Sequence, residues 1–257
     1  MKSSFSLRQA LSVSATFLGF LVLWQLACLI FDIPSYLLPT PTDIIGRMIQ
    51  DSDVLLRHTG VTLFEILAGF GLSVLFGIPA AVIIVYSRYF SQSVFPLLIG
   101  LQCVPMISIA PLLITWLGFG IVTKVMIAFL ISFFPIIVSS VVGLKSMEKE
   151  MLMLATSLRA NRMQVFLYFR LPKALPSIFG GFKVGITLAV VGAVVAEFVS
   201  SDRGLGYLQL VANSRLDITM QFCVIVMLGI IGLTLYNIVG LIEKIALPWY
   251  RAARGGE

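Results

Sequence analysis

The chain has 257 residues, of which 59% are hydrophobic and only 12% are charged. These proportions exclude an ordinary soluble domain, in which about 25% of residues are charged, and they indicate a chain that lives in a lipid bilayer. The net charge of +6 gives no reason to invoke a nucleic-acid partner, because a membrane protein sorts its cations by topology.

Six apolar stretches are long enough to cross a bilayer, since a helix needs roughly 20 apolar residues to span about 30 Å of hydrocarbon. We predict an all-α, polytopic membrane protein that forms one domain over residues 1–257. The predicted transmembrane helices are 12–31, 62–86, 94–116, 123–143, 176–199 and 219–243, with a long loop at 144–175. Lys2 and Arg8 precede the first stretch as in a signal peptide. Its core is long and no small-x-small cleavage site follows Ile30, so we expect it to be retained.

The first connection, 32–59, is predicted to contain a short helix that ends at Gln50 and begins at Thr42 or Asp43. We expect the apolar residues of this helix to lie against the membrane surface. Together with the loop 200–217, this connection forms the side of the protein opposite to the long loop. A partner that delivers a solute would touch these two segments.

The third stretch contains Pro96, Pro105 and Pro111. Because proline cannot donate a backbone hydrogen bond, we expect a kinked helix whose freed carbonyls face protein or a water-filled path. A turn formed by Gly118, Phe119 and Gly120 then leads to the fourth stretch.

The long loop has apolar residues at helical spacing, which predict an amphipathic helix. Asn161 is placed to cap a second helix and Pro172 to end it. From periodicity alone, an amphipathic element in the lipid headgroup layer explains the loop as well as a docking element does. The apolar stripe consists of Met147, Met151, Leu154, Ala155 and Leu158.

The distribution of cations predicts the orientation. With six crossings, the long loop shares a side with both termini, and that side is the more basic one; the positive-inside rule therefore places it in the cytoplasm. Its cations are Lys2, Arg8, Arg88, Lys145, Lys149, Arg159, Arg162, Arg170, Lys173, Lys244, Arg251 and Arg254. The opposite side has Arg47, Arg57, Lys124, Arg203 and Arg215, offset by six aspartates.

Two acids, Glu65 and Glu197, lie at the ends of the second and fifth spans. Ionisable groups in a membrane are costly and indicate function by default. One interpretation is that both are solvated at the interface or paired with Arg57 or Arg203. The other is that they shape an outer gate. Lys183, near the inner end of the fifth span, is expected to snorkel.

The fifth span also carries small residues at intervals of about four positions, a spacing that lets helices approach closely. Packing within one chain and a seam between two copies explain it equally well. The residues are Gly181, Gly185, Ala189, Gly192 and Ala196.

Other chemistry is weakly represented. His58 is the only histidine and is expected in a solvated loop, so it cannot build a multi-histidine metal site. The three cysteines lie in separate spans without metal spacing. The sequence has no phosphate-binding G-x-x-x-x-G-K-[ST] loop, so we expect no ATP hydrolysis and no cofactor in this chain.

The loop resembles the EAA loop of permease subunits of binding-protein-dependent ATP-binding cassette (ABC) importers. The resemblance rests on the spacing of Ala155, Ala160, Leu171-Pro172 and Leu175-Pro176. Met153 stands where that family has glutamate, Leu154 at the first alanine and Arg159 at the glycine. A non-glycine residue in a left-handed helix end costs on the order of 1 kcal/mol. The alternative is that Arg159 continues the helix.

Further strings resemble the branch of these permeases that serves nitrate, taurine, aliphatic sulfonates and some vitamin precursors. They are residues 102–120, Phe133-Phe134-Pro135-Ile136, Glu197-Phe198 and Arg203-Gly204-Leu205-Gly206-Tyr207. The resemblance covers residues 34–249. It implies the MetI-like architecture of type I importer permeases, in the plasma (inner) membrane of a bacterium.

The resemblance also implies partners: a second permease copy, two cytosolic ATP-binding subunits and an external substrate-binding protein. We expect Leu154, Ala155 and Leu158 to form the docking face for the ATPase, with Arg159 and Arg162 pairing to its acids. The resemblance implies that the solute is a nitrate-, sulfonate- or taurine-like anion or a pyrimidine- or riboflavin-type precursor, and the string from Glu197-Phe198 to Gly206-Tyr207 favours the precursor. The remaining residues assigned to the coupling loop are Met151, Ala160, Leu171 and Pro172.

A stand-alone channel or ion-coupled secondary transporter is the alternative. Such proteins usually show inverted repeats and acids deep in their spans, and neither is found here. A membrane enzyme is a third option, which the missing catalytic constellation weakens.

Overall fold

A computed structural model describes residues 2–249, and within that range all regular structure is helical. The α-helices are α1 (Lys2–Ile30), α2 (Pro41–Gln50), α3 (Ser52–Tyr86), α4 (Phe95–Leu101), α5 (Ala110–Leu117), α6 (Ile121–Lys145), α7 (Lys149–Ser157), α8 (Arg162–Gln164), α9 (Leu171–Ser200), α10 (Leu205–Ser214) and α11 (Ile218–Ala246). Two π-helical segments, Phe90–Val94 and Val165–Arg170, and one 3-10 segment, Met106–Ile109, complete them. The prediction of an all-α protein is confirmed.

Four helical segments in the described part of the chain are long and apolar enough to cross a membrane. They are Ser52–Tyr86, Ile121–Lys145, Arg162–Ser200 and Ile218–Ala246. The segments Ser14–Ile30, Phe90–Leu101 and Ile107–Leu117 are apolar but shorter. The structure therefore gives four clear spans, and the count of six stays a prediction. Arg251 and Arg254, which entered the orientation argument, lie outside the described residues.

Helix α9 lies at the centre and packs against α3, α6, α10 and α11. Its small residues face α6: a Cβ atom on Gly185 would lie 2.8 Å from the side chain of Ile136, and one on Gly192 would lie 2.8 Å from the Cα of Ala128. Ala189 and Ala196 are fully buried. The small-residue pattern thus serves close packing within one chain.

The helix in the first connection begins earlier than predicted. Thr40 caps it through a reciprocal capping box with Asp43, and Pro41 occupies the first helical position, where its missing N–H costs nothing. The expectation that its apolar face lies on the membrane surface is wrong for Ile44, which is buried beneath α11. Ile45 and Ile49 are exposed.

The third apolar stretch is interrupted at its prolines, more severely than the kinked helix that was predicted. Helix α4 ends at Leu101, and α5 begins only at Ala110, after a non-helical segment and the 3-10 turn. Pro105 adopts an extended conformation at the break. The result is two short helices rather than one kinked helix.

Pro172 does not end the second loop helix, and that prediction is wrong. Helical structure runs without interruption from Arg162 to Ser200. The turn before Pro172 is π-helical, and Pro172 stands in the first turn of the α-helical segment that follows. Proline is tolerated there. The loop's second helix is therefore continuous with α9.

Candidate functional site

The end of α7 carries the most informative backbone geometry of the loop. The N–H of Ala160 donates to the carbonyl of Ala155 at 3.0 Å, and the N–H of Arg159 donates to that of Thr156 at 3.0 Å. This pair of bonds is a Schellman motif, whose penultimate residue takes a left-handed conformation. Arg159 is that residue, with φ of 52°. A residue with this φ does not continue the helix, so that alternative is wrong. Arg159 stands where the resembled pattern has glycine.

The next helical turn is capped as predicted. The side-chain oxygen of Asn161 accepts a hydrogen bond from the Gln164 N–H at 2.8 Å, and the Gln164 side chain accepts one from the Asn161 N–H at 2.8 Å. This reciprocal box satisfies two backbone N–H groups at the start of the long helical run that contains α9.

Helix α7 presents an apolar surface to solvent. Leu154 and Leu158 are 55% and 65% exposed, and Met153 is 67% exposed. Ala155 is fully buried and faces the rest of the chain, so its assignment to the docking face is wrong. We define the α7 face as Met153, Leu154 and Leu158. Met151 and Ala160 are half-buried beside it.

Ion pairs and ring contacts join the loop to the helices. Lys173 donates a hydrogen bond to Glu148 at 2.9 Å. This bond, together with the charge of Lys173, holds the pKa of the Glu148 carboxyl below its ordinary value. The guanidinium of Arg170 lies 5.2 Å from the ring centre of Tyr86, the last residue of α3. Leu171 and Pro172, which follow Arg170 in the chain, are half-buried.

A buried polar cluster lies at the opposite end of the bundle. Nζ of Lys124, at the start of α6, lies 2.7 Å from Oε1 of Glu65 in α3 and donates to Oγ of Ser201 at 2.8 Å. Glu65 and Glu197 are 0% and 1% exposed. The interpretation that both acids are solvated or paired with Arg57 or Arg203 is wrong. The partner of Glu65 is a lysine that sequence analysis had assigned only to a surface.

Glu197 helps to hold the first turn of α10. Its carboxylate accepts hydrogen bonds from the Thr62 hydroxyl at 2.6 Å and from the Gly206 N–H. The Leu205 N–H donates to Thr62 Oγ1 at 2.8 Å, and the Gly204 N–H donates to His58 Nδ1 at 2.9 Å. Three consecutive N–H groups at the start of α10, beginning with its N-cap residue Gly204, are therefore bound by side chains of α3 and α9. We call Thr62, Glu65, Lys124 and Glu197 the polar cluster.

The comparisons with known proteins decide the family. The model of the binding-protein-dependent transport system inner membrane component matches residues 73–252. The chain belongs to this family. It is the permease component of a binding-protein-dependent ABC importer.

Full-length relatives agree with this assignment. The permease is 37% identical to the riboflavin transport system permease protein RibX of Chloroflexus aurantiacus, over 93% of this chain and 90% of the relative. It is 34% identical to the formylaminopyrimidine transport permease protein ThiX of Halalkalibacterium halodurans, over 97% and 98%. It is 28% identical to the taurine transport system permease protein TauC of Escherichia coli, over 89% and 86%. The stand-alone carrier or channel gains no support from them.

Solved structures show the same fold at low identity. An inward-facing structure of the MetNI methionine ABC transporter matches with a TM-score of 0.66 at 16% identity, covering 76% of this chain and 97% of the other. A structure of an amino acid ABC transporter matches with a TM-score of 0.62 at 15% identity, covering 77% and 96%.

Sequence reasoning missed several residues of the permease that the fold brings together. His58 lies in α3, half-buried against Gly204, and not in a solvated loop, because α3 begins ahead of the predicted span. Lys183 pairs with Glu243 of α11 instead of snorkelling alone. An acid and a base in separate apolar stretches are a signal for such a pair, although a single sequence does not show which two meet.

Proposed function

We propose that two copies of this permease surround the translocation path of an importer. Two cytosolic ATP-binding subunits bind and hydrolyse ATP, and an external binding protein delivers the solute. The chain crosses the plasma membrane six times, with both termini and the loop in the cytoplasm. The excess of cations on that side supports this orientation.

The observation that carries the proposal is the connection between the loop and α9. The α7 face is apolar and exposed on a cationic loop. The helical run Arg162–Ser200 then joins the loop to the central helix of the bundle without a break. An ATPase that contacts the α7 face unequally in its open and closed states would therefore move α9, and such differential contact is what coupling requires.

The polar cluster is proposed as part of the outer gate. It connects α3, α6 and α9 to α10 at the end of the bundle that lies opposite to the loop. Because α10 lies between the ends of α9 and α11, a movement of α9 reaches α10 through Glu197. The cluster then keeps the outer ends of the helices together while the inner ends separate.

The solute is proposed to be a heteroaromatic vitamin precursor of riboflavin or pyrimidine type. The relatives named for riboflavin and formylaminopyrimidine are 37% and 34% identical, whereas those named for taurine and aliphatic sulfonates are 28% and 27% identical. Mass spectrometry of the ligand retained by the cognate binding protein tests this choice. A retained sulfonate or nitrate would contradict it.

Co-purification tests the docking role of the loop. The tagged permease, co-expressed with its cognate ATP-binding subunit, is expected to retain that subunit. Leu154→Glu, which places a charge on the α7 face, is expected to lose it. Thr156→Glu, on an exposed side of α7 outside the face, is the matched control. Equal retention by both variants would contradict the docking role.

A further inference from the structure

A small cavity opens beside the loop where α7 meets the end of α3. Its volume is about 360 Å³, and Tyr86, Leu152, Arg162 and Arg170 contribute to its lining. Leu152 of α7 lines the cavity and is itself 44% exposed. It lies at the base of the loop, next to the proposed contact with the ATPase.

The charges around this cavity are unbalanced. Nε of Arg170 is buried and has no hydrogen-bond partner among the described residues. Arg162 is exposed and makes no ion pair within residues 2–249. Of the two acids in the loop, Glu148 is bound by Lys173, and Glu150 stands in the exposed first turn of α7. The loop supplies two arginines to the cavity and no acid.

We propose that the cavity receives a carboxylate side chain, aspartate or glutamate, from the ATP-binding subunit. Arginine suits this role because its planar fork of donors matches a carboxylate in two parallel hydrogen bonds. Leu152 and Ala160, which line the cavity, flank the α7 face along the chain, and this position beside the proposed ATPase contact favours a protein carboxylate over a lipid headgroup. This inference rests on the proposed function and deepens it: apolar contact comes from α7, and register comes from the arginine pair.

The test measures the affinity of the detergent-purified permease for the purified ATP-binding subunit. Arg162→Gln, Arg170→Gln and the double variant are compared with Arg88→Gln, an exposed cation outside the loop. The double variant is expected to bind about tenfold more weakly, as for the loss of a charge-assisted contact. It is also expected to lose most of its dependence on salt, whereas Arg88→Gln binds as the native chain does. Arg170→Lys keeps the charge but loses the planar pair of donors, and it is expected to bind more tightly than Arg170→Gln and more weakly than the native chain.

Charge exchange identifies the partner residue. Arg162→Glu, which alters an exposed side chain and leaves the contact of Arg170 with Tyr86 intact, is expected to abolish binding. Replacing one surface acid of the ATP-binding subunit by lysine is expected to restore it. If the native chain binds no ATPase, the proposed function itself fails. If the native chain binds and the arginine variants match Arg88→Gln, the inference alone fails. In that case, weaker binding of the arginine variants than of the native chain to vesicles of anionic phospholipid would assign the cavity to a lipid headgroup.

Discussion

Nζ of Lys124 lies 2.7 Å from Oε1 of Glu65, with both side chains almost completely buried. The pair joins α6 to α3 at the end of the bundle where Glu197 joins α9 to α10. Removing one partner of a buried ion pair leaves an uncompensated charge, which is far more destabilising than removing both.

Lys124→Met is therefore expected to lower the free energy of unfolding by about 3–5 kcal/mol. The double variant Lys124→Met with Glu65→Gln is expected to recover a large part of that loss. Thermal unfolding in detergent, followed by tryptophan fluorescence, measures both. Arg203→Gln is the control, because Arg203 is exposed and its pairing with Asp202 at 3.7 Å is worth about 0–1 kcal/mol. A single variant as stable as this control would contradict the role of the pair.

Gly204→Ala is expected to destabilise the permease strongly. Gly204 has φ of 116°, a conformation that L side chains rarely adopt, and a Cβ atom there would overlap the Glu197 carboxylate. Gly71→Ala is the matched control, since a Cβ on Gly71 has nothing within 4 Å and alanine favours a helix by about 1 kcal/mol over glycine. The same unfolding assay should show opposite signs for the two variants. Equal effects of the two variants on stability would contradict the close contact between Gly204 and the Glu197 carboxylate.

Arg159→Gly is expected to stabilise the loop by on the order of 1 kcal/mol, because glycine adopts the left-handed conformation without the Cβ penalty. Ser157→Gly, at the last residue of α7, is expected to destabilise it by a few tenths of a kcal/mol, because glycine has a lower helix propensity than serine. Hydrogen exchange of the α7 amides reports both effects. Slower exchange in Ser157→Gly than in Arg159→Gly would show that the left-handed conformation is absent in solution.

The Glu148–Lys173 contact predicts a pH dependence of the loop. Because the folded pKa of Glu148 is lowered, its stabilising contribution is present above the ordinary glutamate pKa of about 4.3. The contribution is lost as the pH falls through the lowered folded value. Exchange in the loop should therefore be faster in Glu148→Gln than in the native chain at pH 7, and the difference should vanish in acid and shrink in salt. A difference that persists in acid would assign the effect to packing.

The sequence predicts those features of the fold that depend on local pattern. Apolar length marks the long helices, and Asn161 marks a cap because its short side chain places an acceptor oxygen within reach of a free N–H in the first helical turn. The prolines of the third stretch mark an irregularity, although they predicted a kink where the structure has a break between α4 and α5. Pro172 was predicted to end a helix, and that prediction is wrong. It follows a π-helical turn and stands in the first turn of an α-helical segment, where proline is tolerated.

Features that depend on three-dimensional neighbours could not be read from one sequence. Lys124 and Glu65 are separated along the chain by the rest of α3 and by α4 and α5, and nothing in the apolar pattern pairs them. Ala155 shares its helical stripe with Leu154 and Leu158, yet only the packing of α7 against the following helix shows that it points inward.

Cysteine labelling tests the central claim that the loop lies in the cytoplasm and docks on the ATPase. Leu158→Cys is prepared in a Cys103→Ser background, since Cys103 is the exposed native cysteine among the described residues. A membrane-impermeant maleimide is then applied to right-side-out and inside-out vesicles. We predict labelling in inside-out vesicles alone, with protection when the ATP-binding subunit is bound. Labelling from the outside, or unchanged labelling in the presence of the bound subunit, would contradict the account.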